Sequence, residues 1–212
     1  HAESFRARYQ LQGVGVSAHQ LTDATFALRA GSREAIVHAL PGVFFGHDVG
    51  IGEVYKDDNI RVSAIENTHF SFHQGDAAGR YKSYSYRFET PDRVITFTVD
   101  TGFSAAVTEL AQDADILVTE TSSCDERRNM MIKDGRWEVM STAEQEGIMR
   151  QATMGHMDLK NIGTLATQAG VKKVVLSHLT ERVESADYEP WAEEVRKHFS
   201  GEVVVAEDLM EF

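Results

Sequence analysis

Apolar and polar residues alternate along Ile60-Arg61-Val62-Ser63-Ala64-Ile65 and again along Tyr84-Ser85-Tyr86-Arg87-Phe88, the two-residue period of a strand with one buried face. The β-branched run Val94-Ile95-Thr96-Phe97-Thr98 predicts a third strand. Thr90-Pro91-Asp92-Arg93 joins the last two as a tight turn, since proline presets φ and aspartate favours turn positions. Beyond residue 100 the period changes. Ser104 is placed to cap a helix reaching residue 112, and residues 115–119 form a short buried strand. Ser141-Thr142-Ala143-Glu144 fits a capping box that opens a helix ending near residue 152. Asp158 caps a helix over 159–169, stopped by Gly170. A strand over 173–177, a helix over 190–199 with Pro190 in its first turn, and a strand over 202–206 complete the chain. Residues 1–50 carry the least pattern. Antiparallel strands followed by strand–helix alternation predict a layered α/β (α+β) architecture, with chemistry at the strand ends.

The chain has 212 residues, 42% hydrophobic and 25% charged, the composition of a globular domain, and the expectation is one domain over 1–212. Its net charge of −12 sets it against phosphate backbones and anionic lipid, so nucleic acid is disfavoured as a partner. Much of that acidity lies in residues 181–212, with ten Asp/Glu against three Lys/Arg. No apolar run approaches the roughly 20 residues of a membrane-spanning helix. The single cysteine, Cys124, allows no internal disulfide and leaves cytoplasm and export equally open.

Three polar residues follow predicted strands: His69, Asp100 and His178. Imidazole and carboxylate groups at neighbouring strand ends can converge on one divalent ion, zinc or else iron or manganese. Each residue taken alone is more often an ordinary polar strand end than a ligand.

The ordered string Glu66-Asn67-Thr68-His69-Phe70-Ser71, Tyr84 to Arg93, Val99-Asp100-Thr101-Gly102 and Val174-Val175-Leu176-Ser177-His178-Leu179 resembles the later motifs of the metallo-β-lactamase superfamily. It is most similar to the ribonuclease Z and arylsulfatase-like hydrolase branch. The resemblance implies an αββα sandwich and a two-metal, zinc-type centre. His69 would bind one metal, Asp100 would bridge two, and His178 would bind the second. Glu120 would orient His156, which would donate a proton to the leaving group or a hydrogen bond to developing charge.

Departures from the family pattern are specific. The upstream His-x-His-x-Asp-His string is absent from the 212 residues, and Gly46-His47-Asp48 lacks its spacing. The resemblance therefore implies a domain without its N-terminal strands, with too few ligands of its own for two metals. A sheet so exposed would favour homo-oligomers or other association. Val99 stands where the family usually has glycine, and Asp158 where a threonine is common.

Phe70, Phe72, Tyr81, Tyr84 and Tyr86 read first as core, and second as the floor of an apolar substrate pocket. The methionines crowded between 130 and 157 fit a flap over the site or filler for an irregular core. The leading expectation is a metal-dependent hydrolase of a small ester, lactone or β-lactam. A ribonuclease or phosphodiesterase of the same fold is the alternative, set back by the charge and by the lack of a basic Gly/Pro-rich arm. An inactive or partial module acting by association is a third reading.

Overall fold

The computed structural model describes residues 49–179 and 187–211. From Ile51 onward the described residues belong to one compact unit. In chain order its elements are β1 (Gly52–Lys56), β2 (Arg61–Glu66), β3 (Tyr84–Glu89), β4 (Val94–Phe97), α1 (Ala105–Leu110), β5 (Ile116–Thr121), α2 (Cys124–Lys133), α3 (Thr142–Gly155), α4 (Leu159–Gln168), β6 (Lys173–Leu179), α5 (Glu189–Arg196) and β7 (Glu202–Val205). The strands form one seven-stranded sheet in the order β1-β2-β3-β4-β5-β6-β7. Neighbours from β1 to β4 pair antiparallel, and neighbours from β4 to β7 pair parallel. β2 therefore runs the same way as β4, β5 and β6, and the C-terminal ends of these four strands share one edge of the sheet. That edge is where ligands bind in sheets of this kind.

Strand periodicity sends Leu117, Val174, Leu176 and Val203 into one buried cluster with Val107 of α1, Ile162 and Leu165 of α4, and Trp191 and Val195 of α5. α4 buries Leu159, Ile162, Gly163 and Ala166, the three-and-four spacing of one helix face. Among the described residues no helix is long and apolar enough to cross a membrane. The layered α/β expectation is met.

The capping box at Ser141 is present, with the Glu144 backbone N–H reaching Ser141 Oγ and the Ser141 backbone N–H reaching the Glu144 carboxylate. Asp158 caps α4 by accepting from the Lys160 backbone N–H. Ser104 precedes α1 without a side-chain cap bond; its carbonyl instead receives both the backbone N–H and the hydroxyl of Thr108. α5 stops at Arg196, where the Lys197 and His198 amides turn back to carbonyls three residues earlier, a tightened last turn. Two elements depart from the sequence reading. β1 is an exposed edge strand with no alternating apolar face. α2 is polar on almost every side and buries only Met131. The methionine-rich segment forms α2 and α3, with Met131 and Met157 buried and Met154 exposed. The Gly46-His47-Asp48 cluster lies outside the described residues.

Candidate metal centre

The loop leaving β2 is pinned by a buried amide. Asn67 Nδ2 donates to Ser85 Oγ at 3.1 Å and to the Thr98 carbonyl at 3.2 Å, while Asn67 Oδ1 accepts from the His69 backbone N–H at 3.1 Å. This fixes the His69 backbone against β3 and the end of β4. The His69 ring is then set from the other side, because its Nδ1 lies 2.8 Å from the Gly155 carbonyl at the end of α3. A carbonyl only accepts, so Nδ1 carries the proton and Nε2 keeps its lone pair for a cation. The approach leaves no room for side chains: a Cβ on Gly155 would sit 2.8 Å from the His69 carbonyl oxygen, and one on Gly102 would sit 2.1 Å from that of Met154.

Asp100 follows β4, two residues after Thr98. Its carboxylate lies 3.5 Å from His178 Nε2. Burial raises the Asp100 pKa, but the His178 hydrogen bond and the positive potential of His178, His69 and His156 outweigh it and hold the carboxyl below the usual aspartate value. The sequence reading puts His178 beyond a strand ending at 177; instead β6 continues to Leu179. Glu120 pairs with Ser177 and Thr121 with Leu179, so His178 is the extra residue of a bulge, and its φ is 45°. Bulges re-aim side chains at such places.

Glu120, near the end of β5, and His156, just after α3, are both buried. His156 Nδ1 lies 3.1 Å from Glu120 Oε2, and Glu120 Oε1 accepts the Met157 N–H at 2.8 Å and the Thr101 N–H at 3.2 Å. One carboxylate thus ties the Asp100 loop and the end of α3 to β5, and holds the His156 ring by Nδ1.

These constraints bring one potential ligand atom each from His69, Asp100 and His156 within 4.8 Å of one another. The five residues singled out in the sequence are all at this edge, but the tight triple contains His156, with His178 joined to it through Asp100. The imidazoles of His69 and His178 and the carboxylate of Asp100 make a donor set that suits a divalent ion, with the His156 ring beside them; three protein ligands and an open position are the usual arrangement of catalytic zinc. The Gly155 carbonyl fixes the His69 ring in the manner typical of metal-bound histidine, and the Glu120 carboxylate fixes the His156 ring. Asn67, Gly102 and Gly155 escaped the sequence reading as positioning residues. Asn67 lies within the His69 motif, two residues before the ligand, and that placement was the signal available in the sequence; the structure buries it.

Residues 7–179 match the beta-lactamase superfamily domain, and the chain belongs to the metallo-β-lactamase superfamily. It is 32% identical over 120 residues to ribonuclease Z of Salinispora arenicola, covering 57% of this chain and 32% of that protein. Against ribonuclease Z of Thermobifida fusca it is 32% identical over 136 residues, covering 64% and 36%. The matched segment spans about a third of each of these relatives. Among solved structures it resembles an isothiocyanate hydrolase from Delia radicum gut bacteria, with a TM-score of 0.56 and 14% identity over 92% of this chain and 72% of that one. It also resembles Zn(2+)-bound PqqB from Methylobacterium extorquens, with a TM-score of 0.55 and 15% identity over 91% and 62%. These two likenesses establish the fold.

Proposed function

We propose that the chain acts as a metal-dependent hydrolase of phosphodiesters, with zinc as the ion its donor set fits best and manganese or iron as substitutes. The observation that carries this is the convergence of His69, Asp100 and His156 donors within 4.8 Å at the strand edge. His69 and Asp100 hold the ion, with His178 beside Asp100. A divalent ion bound there would polarise the scissile group and bring the pKa of attacking water towards neutrality.

His156 delivers the proton. With Nδ1 engaged by Glu120, its Nε2 is the atom that can protonate the oxygen leaving phosphorus, and the Glu120 carboxylate fixes the ring in that orientation. The support for a phosphodiester substrate, RNA in particular, is the set of ribonuclease Z relatives at 31–34% identity. That weighs against the charge-based expectation that nucleic acid is disfavoured. A second reading, a small ester, lactone or β-lactam, keeps the −12 charge in its favour.

The test is turnover by His156→Ala of an RNA substrate and of a small aryl ester, with bound metal measured in the same samples. The proposal expects RNA cleavage by the unaltered chain, a fall in kcat of about 10²–10⁴-fold in the variant, and retained metal. Ester turnover without RNA cleavage favours the second reading; loss of metal makes His156 a ligand instead of the proton donor.

A further inference from the structure

Phe70, His73 and Tyr81 do not lie on strands. They belong to the loop between β2 and β3, which carries a continuous series of aromatic rings away from the metal centre. The His156 and His69 rings are 5.1 Å apart, His69 and Phe70 4.5 Å, and Phe70 and Tyr81 5.7 Å. His73 closes the group, 5.9 Å from Phe70 and nearly parallel to it, and 5.5 Å from Tyr81. Tyr81 is 48% exposed. A core cluster would hide its largest ring; this one presents it to solvent, two ring contacts from His69.

The charge beside the ring is positive. The guanidinium of Arg80 lies over Tyr81, 5.7 Å from its centroid. Residues 67–83 hold two cations, Arg80 and Lys82, against one carboxylate, Asp76, in a chain whose net charge is −12. Lys82 is engaged by Glu66 at 2.8 Å, whereas Arg80 is in contact with the exposed ring itself. A half-exposed tyrosine with a guanidinium over its ring matches a ligand that has a flat ring next to an anion. Stacking plus a nearby cation is how proteins hold single-stranded nucleic acid without reading its sequence.

We infer that the β2–β3 loop is a substrate subsite on which Tyr81, backed by Phe70 and His73 and flanked by Arg80, stacks a nucleobase of single-stranded RNA next to the scissile phosphate. The inference rests on the phosphodiester reading of the same site. Tyr81 here is a substrate-binding residue, with no part in the chemical step.

The experiment measures binding apart from turnover: fluorescence anisotropy of a labelled short single-stranded RNA on the full chain without added metal, for the unaltered chain, Tyr81→Leu and Tyr81→Phe. An abasic oligomer of equal length and charge serves as the second probe. Tyr81→Leu weakens RNA binding about tenfold, Tyr81→Phe stays near the unaltered value, and the abasic oligomer binds weakly and equally to all three. RNA binding by Tyr81→Leu equal to that of the unaltered chain, an abasic oligomer bound as tightly as the RNA, or no RNA binding by any form overturns the subsite. Turnover separates the two proposals: RNA cleavage that ignores Tyr81 sinks the subsite and leaves the hydrolase, whereas ring-dependent binding without cleavage under any metal leaves the subsite and sinks the hydrolase.

Discussion

Glu120 and His156, 36 residues apart in the chain, meet as a buried pair at 3.1 Å, while the second oxygen of the same carboxylate takes two backbone N–H groups. Replacing it therefore has two separable consequences. Glu120→Ala leaves the Thr101 and Met157 amides without their acceptor and should cost about 2–6 kcal/mol, since each buried orphan donor is worth about 1–3 kcal/mol. Glu120→Gln keeps one acceptor oxygen but no longer presents a carboxylate to His156. It should lose less stability, with a fall in activity of about 10–100-fold as His156 loses the carboxylate that orients it, and with metal retained. Urea unfolding and turnover on both variants check this; equal stability losses would contradict it.

Val99 sits at φ 55°, in the left-handed region that a β-branched side chain enters only under strain. The side chain is 39% exposed, so little packing repays that strain. Val99→Gly should raise stability by about 1 kcal/mol, the relief of about 1–3 kcal/mol being offset by the greater freedom of glycine in the unfolded chain. Thermal denaturation reads this directly, and a lower Tm would contradict it.

Asp158 has its pKa raised by burial, reinforced by the charge of Asp125 and only partly offset by the Lys160 and Cys124 backbone N–H groups. For a carboxyl shifted upward, the folded state resists ionisation, so the penalty is absent below the unfolded pKa and grows as pH rises through the folded one. Asn keeps an acceptor for the α4 cap without that charge. The stability of Asp158→Asn relative to the unaltered chain should climb between about pH 3 and pH 7, whereas Asp158→Ala should lose about 1 kcal/mol as the cap goes. Unfolding curves at the two pH values test the sign.

Much of this was legible in the residues. Period-two runs locate β2 and β3, a β-branched run locates β4, and Ser141-x-x-Glu144 and Asp158 locate the starts of α3 and α4. β1 was not, because an edge strand exposed on both faces has no alternation to read. α2 hides its helical period in Asp125-Glu126-Arg127-Arg128-Asn129, although Ser123 and Glu126 offered a cap signal that the structure uses. For the site, position after a strand pointed to His69 and Asp100. The approach of His156 was invisible from spacing, since it depends on where α3 ends against the β2 and β4 loops through Gly102 and Gly155. The bulge that re-aims His178 is likewise a matter of pairing register between β5 and β6.

The central claim is that His69 and Asp100 hold a catalytic divalent ion. Its most direct test is zinc content and zinc affinity of the chain, purified without chelator or metal affinity resin, beside His69→Ala and Asp100→Ala. The account predicts at least one ion per chain, released from both variants, with folding by circular dichroism unchanged. A chain that binds no zinc, manganese or iron, or variants that bind as tightly as the unaltered chain, would contradict it.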